Sequence, residues 1–213
     1  MKKAFTLAEV LITLTIVGTI AALTVPQVIQ DYKYKLYTTQ LKKVYAEVSE
    51  AVETAKTNEN TDHFYQTKAF SETSNADVGA QFFLTNYFAH IDADTAANLA
   101  SPAEGDLQFT SMDDAVIESN LIGGIGYCIK TKSSSIICAN YDEGGVLNVV
   151  TDVNGLKNPP NTAGRDIFSM HIDAEGIISD ADTECGEGEE ESPFTASAGC
   201  LRQIIEDNWQ MEY

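Results

Sequence analysis

Basic residues are scarce in this sequence: 13 Lys and Arg stand against 32 Asp and Glu, which gives a formal net charge of −19. The imbalance is confined to one part of the chain. Residues 57–213 hold six basic and 27 acidic residues, whereas residues 5–56 hold five of each. Because nucleic-acid binding depends largely on basic contacts to phosphates, this composition argues against a general nucleic-acid binder.

Enzyme motifs are missing as well. The sequence contains no G-x-S-x-G, no H-E-x-x-H and no Walker sequence. The glycines at positions 123, 124 and 126 precede a predicted strand rather than a helix, which indicates a turn and not a phosphate loop. Zinc is not favoured, because no C-x-x-C spacing occurs and His63, His90 and His171 are scattered. We therefore expect a protein that is not an enzyme.

One long apolar run is present, at the beginning of the chain. Residues 5–29 carry a single charge, Glu9, and follow a leader of Met1, two lysines and Ala4. At 1.5 Å per residue the run forms a helix of about 37 Å, enough to cross a hydrocarbon core of roughly 30 Å. The leader is too short and the run too long for a secretory signal peptide. A carboxylate inside such a segment is costly, so Glu9 is a functional-site candidate.

This stretch resembles the type IV prepilin signal of type IV pilins and type II secretion pseudopilins. In that family a short basic leader ends in a small residue, usually Gly, where this chain has Ala4. The resemblance implies cleavage between Ala4 and Phe5, N-methylation of Phe5, and pairing of Glu9 with the α-amino group of Phe5 on a neighbouring subunit. It also implies a loosened helix at Pro26, since proline removes a backbone donor.

The same resemblance implies a location and partners. Residues 1–4 would be the prepilin leader and residues 5–29 a single inner-membrane span with the head outside the cytoplasm. After assembly the subunit would lie in a pilus or pseudopilus at the cell surface or in the periplasm. The implied partners are other pilin or pseudopilin subunits, a prepilin peptidase/N-methyltransferase and an inner-membrane assembly platform. The alternative is a membrane-anchored, adhesin-like binding module that does not enter a filament.

Apolar residues recur in steps of three and four beyond the apolar run, so we expect the same helix to continue, now amphipathic, over residues 30–57. Residues 58–120 are predicted to form a connector of helices and loops. Within it we expect a helix over residues 76–91, a loop over residues 92–106, and a short helix that Ser111 caps and that ends at Asn120.

From residue 121 the hydrophobic period changes to that of strands. Antiparallel strands are predicted at residues 125–129, 135–139, 146–150, 167–172 and 177–178, followed by a long loop and a helix over residues 201–208. The expected fold class is α+β and resembles the pilin architecture. A long N-terminal helix, transmembrane in its first half, packs on a small antiparallel head (residues 121–213) with a disulfide-clipped C-terminal loop.

Four cysteines all lie in this predicted head, which in an exported domain indicates two disulfides. Three connectivities are open. Locality favours Cys128–Cys138, across a predicted hairpin, and Cys185–Cys200, whose closure is worth about 3 kcal/mol in the chain-entropy model. The second pair encloses the glutamate-rich run of residues 184–191, for which a solvated loop is the default interpretation.

A second stretch resembles pilin-like heads: D-V-N-G from Asp152, then N-P-P-N and the strand that follows Asp166. Asn-Gly supplies the positive φ of a tight turn. Asp152, Asn154 and Asp166 also carry the hard oxygen ligands that Ca²⁺ prefers, so they are candidate calcium ligands. An ordinary turn without metal is the alternative.

Overall fold

The computed structural model describes residues 6–71, 76–88, 91–92, 108–124, 126–142 and 144–213. The chain forms two compact units, the first ending at Leu36 and the second running from Tyr37 to Tyr213. Helix α1 (Leu7–Glu59) contributes residues to both. In the second unit one face of α1 is buried, in helical steps, by Tyr37, Leu41, Val44, Val48, Ala51, Val52 and Ala55. The amphipathic stretch predicted from the sequence is therefore present.

Short helices follow α1. A 3₁₀ turn (Phe64–Gln66) leads to α2 (Lys68–Ser71), and α3 (Ala76–Tyr87) is the helix predicted for residues 76–91, ending four residues earlier. Phe64 packs edge to face on Phe83 of α3, with ring centroids 5.6 Å apart. The Tyr87 hydroxyl hydrogen-bonds to Glu59, so α3 is held against the end of α1.

Eight strands follow α3 within the described part of the chain. They are β1 (Ile91–Asp92), β2 (Phe109–Thr110), β3 (Val116–Ile117), β4 (Tyr127–Thr131), β5 (Ile136–Tyr141), β6 (Leu147–Asp152), β7 (Ile167–Ile172) and β8 (Ile178–Ser179). Six of them form one antiparallel sheet in the order β1-β4-β5-β6-β7-β8. The five predicted strands are β4 to β8, a meander. Most of the loop predicted for residues 92–106 lies outside the described residues.

The short helix predicted after Ser111 is wrong. The structure has β2 and β3 there, paired antiparallel with Phe109 opposite Ile117. Ser111 does accept a backbone N–H through its hydroxyl, from Ala115, but this bond closes a turn. Asp114 has φ of 62°, which ends any helix at that point. Adjacent β-branched residues, Val116 and Ile117, then favour a strand.

Both faces of the main sheet are covered. One face packs on the segment that precedes β4, in a buried cluster that includes Phe109, Leu121, Ile122, Cys128, Cys138, Val150 and Ile167. Because side chains alternate along a strand, Tyr141 lies on the opposite face from Cys138. There its hydroxyl donates to the carbonyl of Ala69 in α2 at 2.9 Å. The sheet is thus the central layer of the second unit.

The C-terminal segment contains two helices, α4 (Pro193–Ala196) and α5 (Cys200–Glu206). Helix α5 corresponds to the helix predicted for residues 201–208. Helix α4 lies within the stretch predicted as a loop, and a reciprocal capping box between Ser192 and Thr195 begins it. After α5, Trp209 packs edge-on against Tyr45 of α1 with centroids 5.6 Å apart. The tail is therefore fixed to the amphipathic part of α1.

Candidate functional site

The first unit exposes an apolar surface on all sides of its helix. Its large exposed side chains are Leu7, Val10, Leu11, Ile12, Leu14, Ile16, Val17, Ile20, Leu23, Val25, Val28 and Ile29. None of the most apolar 18-residue window is buried. By length and composition α1 could cross a membrane, and a signal sequence passes the same test. A helix that is apolar all round is stable only inside a membrane or among other apolar surfaces.

The hydroxyl groups in this apolar surface are satisfied within the helix. Thr13, Thr15, Thr19 and Thr24 each donate to a carbonyl three or four residues earlier, at 2.8 to 3.1 Å. Such back-bonding leaves no hydroxyl donor that needs water. The threonines therefore do not prevent burial of this segment in hydrocarbon or among like helices.

Glu9 belongs to a local hydrogen-bonding motif at the start of α1. Its Oε2 accepts from the backbone N–H of Thr6 at 2.8 Å and from the Thr6 hydroxyl at 2.7 Å. In return the Glu9 N–H donates to the Thr6 hydroxyl oxygen at 3.3 Å. This is a capping box, with Thr6 at the N-cap and Glu9 at N3. Glu9 thus has a structural role as a cap, which was not predicted from the sequence.

The structure describes only one of the other N-terminal site residues predicted from the sequence. Ala4 and Phe5 lie outside the described residues. Pro26 lies inside α1, and the helix continues through it. The backbone around Pro26 is therefore helical and not melted, and a bend at this position stays a prediction.

The D-V-N-G motif lies at the end of β6 and places Asp152 in the interior. Its Oδ1 accepts the N–H groups of Asn154 at 3.2 Å and Gly155 at 2.7 Å. Gly155 has φ of 84°, and a Cβ there would collide with the carbonyl oxygen of Ser134. The glycine is therefore required by both conformation and space.

Asp166 holds the other end of the same β6–β7 connection. Its two oxygens accept the N–H groups of Thr162 at 2.7 Å and Asn161 at 2.9 Å. The side chains of Asp152 and Asp166 are both fully buried. The predicted pair of carboxylates is therefore brought together, with Asn154 bonded to the Asp166 side chain.

Burial determines the protonation of this carboxylate pair. Burial and then the nearby charge of Asp166 raise the pKa of Asp152 to about 8, although the N–H groups of Gly155 and Asn154 oppose the shift. Burial raises the pKa of Asp166 to about 6, against its bonds from Thr162 and Asn161. At neutral pH Asp152 is therefore protonated in most folded molecules.

Tyr37 of α1 adjoins the pair and was not identified as a site residue from the sequence. Burial raises its pKa, and the charges of Asp166 and Asp152 add to that effect. The Asn154 side chain also hydrogen-bonds to Tyr37. Tyr37 therefore ties the amphipathic part of α1 to the β6–β7 connection.

Three buried oxygens near these turns lack a hydrogen-bond partner: Asp152 Oδ2, Asn154 Oδ1 and Asn161 Oδ1. All three are carboxylate or amide oxygens, the ligand type that calcium takes six to eight of. Within the described segments no group of three or more His, Cys, Asp or Glu could hold a metal. Calcium binding by Asp152, Asn154 and Asp166 therefore stays a prediction, and Asn161 Oδ1 is a further amide oxygen without a partner near these turns.

Calcium binding would appear as thermal stabilisation. A site filled at a hundred times its dissociation constant adds about 2.7 kcal/mol, or roughly 5–10 °C in Tm for a domain of this size. We expect such a rise on adding excess calcium to the chelated protein, and none for Asp152→Asn. Magnesium serves as the control cation, because it requires a tighter octahedral site. An unmoved Tm for the unsubstituted protein would argue against the site.

Both disulfides favoured by locality are present, Cys128–Cys138 and Cys185–Cys200. The first joins directly opposed residues of β4 and β5. The second closes a loop that contains the exposed Glu187, Glu189, Glu190 and Glu191, and exposed Glu184 directly precedes it. This arrangement matches the default interpretation of a solvated loop.

No family model, curated protein or solved structure matches this chain.

Proposed function

We propose that this protein is a structural subunit of a type IV pilus-like filament or of a type II secretion pseudopilus. The observation that carries the proposal is the apolar surface around the whole helix in the first unit, none of it covered. A second unit that buries its own core has no use for such a surface. The apolar surface of the first unit is suited to a bilayer before assembly and to packing against the same helix of other subunits after assembly.

Glu9 supplies the register between subunits in this proposal. Both hydrogen bonds that Thr6 donates to Glu9 end on Oε2, so Oε1 is the oxygen left to receive a positive charge. The α-amino group of a cleaved Phe5 on a neighbouring subunit is the cation that the prepilin-like signal implies. Pairing removes two charges that are costly in an apolar environment. The strongly acidic head would repel its copies, which favours a minor subunit.

Processing at Ala4 is a direct test. Ala4→Arg places a bulky charge at the residue before the proposed cut, so we expect a longer, unprocessed protein in the membrane fraction. Intact-mass measurement distinguishes it from a mature chain that begins with N-methylated Phe5. Ala4→Gly, the usual residue of the family, is the matched control and should be processed fully. Normal processing of Ala4→Arg would count against the proposal.

An anchor exchange separates the filament subunit from a membrane-anchored binding module. Residues 1–29 are replaced with an unrelated single-pass anchor of equal length. A filament subunit should then be lost from sheared filaments while its second unit stays folded with both disulfides. Retention of the cellular function with the unrelated anchor would favour the binding module.

A further inference from the structure

Three sulfur atoms lie together beside Gly164, in the connection between β6 and β7. Met112 Sδ is 3.5 Å from Cys185 Sγ, and Cys185 is bonded to Cys200. A Cβ on Gly164 would lie 2.8 Å from Cys200 Sγ, 3.0 Å from Met112 Sδ and 3.1 Å from Cys185 Sγ. Glycine therefore leaves the space in which the methionine and the disulfide meet. We call Met112, Cys185 and Cys200 the sulfur cluster.

Met112 reaches the disulfide from a separate part of the chain. It lies in the turn between β2 and β3, in which the Ser111 N–H donates to the Ala115 carbonyl at 2.8 Å. A Cβ on Gly186 would lie 3.3 Å from the Met112 sulfur, so the backbone next to Cys185 also packs against this side chain. Methionine is flexible and polarisable, and it fills irregular gaps of this kind.

The two cysteines of the sulfur cluster differ in exposure. Cys200 is 0% exposed, whereas Cys185 is half-buried. A thiolate reduces a disulfide by attacking one of its sulfur atoms, and the rate depends on access to that atom. Cys185 is therefore the sulfur that a thiolate can reach, and Met112 Sδ occupies part of the space around it.

Charge near this disulfide also affects the approach of a thiolate. The Glu187 N–H donates to the Glu184 carbonyl at 3.1 Å, so the more accessible sulfur lies in a turn with an exposed glutamate at each end. These carboxylates repel a thiolate, which has the same sign of charge. Arg202 of α5 pairs with Asp182 and Glu206, which offset its positive charge. The effect of charge must therefore be screened before the effect of Met112 can be measured.

We propose that Met112 is a cover that protects the Cys185–Cys200 disulfide from attack by thiols. In the reaction that it slows, a dithiol reductant attacks Cys185 Sγ as a thiolate. A mixed disulfide forms, the bond to Cys200 breaks, and Cys200 leaves as a thiolate that takes up a proton. The second thiol of the reductant then displaces Cys185, so the reductant is oxidised to a disulfide and both cysteines are reduced. This inference is independent of filament assembly.

The protected bond holds the C-terminal segment in place. Cys200 is the first residue of α5, and the Tyr213 hydroxyl donates to the Gly164 carbonyl at 2.8 Å beside the sulfur cluster. Reduction would release the acidic loop from the start of α5. The cover therefore keeps this loop and α5 joined where thiols are present.

The test is the rate at which dithiothreitol reduces each disulfide in the full-length, detergent-solubilised protein. Samples are alkylated at intervals, and the labelled cysteines are identified by peptide mass mapping. Salt at about 1 M is present throughout, because it shortens the Debye length to about 3 Å and screens the glutamates. Met112→Ala should speed reduction of Cys185–Cys200 roughly tenfold, since access no longer requires exposure of the apolar methionine. Met112→Leu keeps the apolar bulk and should stay within about twofold of the unsubstituted protein.

Cys128–Cys138 is the internal control. Both of its residues are buried, so its reduction requires opening of the second unit and should be unchanged by either substitution. The inference is overturned if Met112→Ala leaves the rate at Cys185–Cys200 unchanged, or if it speeds both disulfides equally, as general destabilisation would. It is also overturned if Met112→Leu is reduced as fast as Met112→Ala, because the bulk of the side chain would then provide no cover.

Discussion

Glu9→Gln is expected to abolish incorporation of the protein into filaments while leaving it inserted in the membrane. Glutamine is the other residue found at the N3 position of a capping box, so the variant keeps the bond from the Thr6 N–H. It loses the negative charge that, in the proposed function, would pair with the amino group of Phe5 on a neighbouring subunit. Breaking a buried ion pair costs about 3–5 kcal/mol, which is on the order of a hundredfold or more in subunit association. The measurement is the fraction of the protein in sheared filaments relative to the membrane.

Thr6→Ala is the control that separates the cap from the charge. It removes the hydroxyl that donates to Glu9 and accepts its N–H, but it keeps the carboxylate. An N-cap loss of about 1 kcal/mol frays one helix end, so assembly should remain close to normal. If Glu9→Gln assembles normally, the charge pairing is refuted. If both variants fail equally, Glu9 acts through the cap.

Asp152→Asn is expected to stabilise the second unit at pH 8 by about 5 kcal/mol, the cost of ionising a carboxyl whose pKa is raised from 3.8 to about 8. Asparagine can still accept the N–H groups of Gly155 and Asn154, and it has no charge to bury. The measurement is the free energy of unfolding from urea denaturation over a pH series, with calcium chelated throughout. The unsubstituted protein should lose stability as the pH rises, and the variant should lose much less.

The direction of this pH dependence follows from the raised pKa. Asp152 has a pKa of about 8 in the folded chain and an ordinary value of 3.8, so between these values the folded state holds a proton that the unfolded state has released. Its contribution to stability is full below pH 3.8 and is lost as the pH rises to about 8. Asp166, with a pKa of about 6, adds a smaller loss over the lower part of that range.

Asp142→Asn is the matched control, because Asp142 is exposed and also accepts a backbone N–H, from Val146 at 2.8 Å. Because this substitution leaves Asp152 and Asp166 in place, the loss of stability with rising pH should persist in the variant. A stability that is level or rises between pH 4 and pH 8 in the unsubstituted protein would contradict the burial of these carboxylates as protonated groups.

The spacing of apolar residues was sufficient to predict the amphipathic part of α1 and strands β4 to β8. Each of these elements buries side chains that recur at the helical or strand period along its own sequence. It failed at Ser111, where a Ser followed by two acids is the pattern of both a helix start and a tight turn. What decides between them is pairing with Phe109 and Thr110, together with the left-handed conformation of Asp114. Asp113 and Asp114 alone predict neither the strand pairing nor this backbone conformation.

The candidate site was predictable where its signal is local. Asp152 and Gly155 form a turn that the D-V-N-G sequence itself specifies. The T-x-x-E spacing of Thr6 and Glu9 is the sequence pattern of a capping box, but Glu9 was interpreted only through the resemblance to prepilins. Tyr37 could not be found in this way. It occupies a core position in the helical period, and only the tertiary fold brings it beside Asp166, more than a hundred positions along the chain.

The burial of the Cys128–Cys138 bond bears on when it forms. Its two residues are 1% and 0% exposed beneath the segment of residues 109–122, so that segment shields them from a thiol oxidase in the folded chain. Oxidation is therefore easiest while the hairpin is still open. A chain that closed its interior first would bury a pair of reduced thiols, so we expect this bond to form before residues 109–122 cover the hairpin.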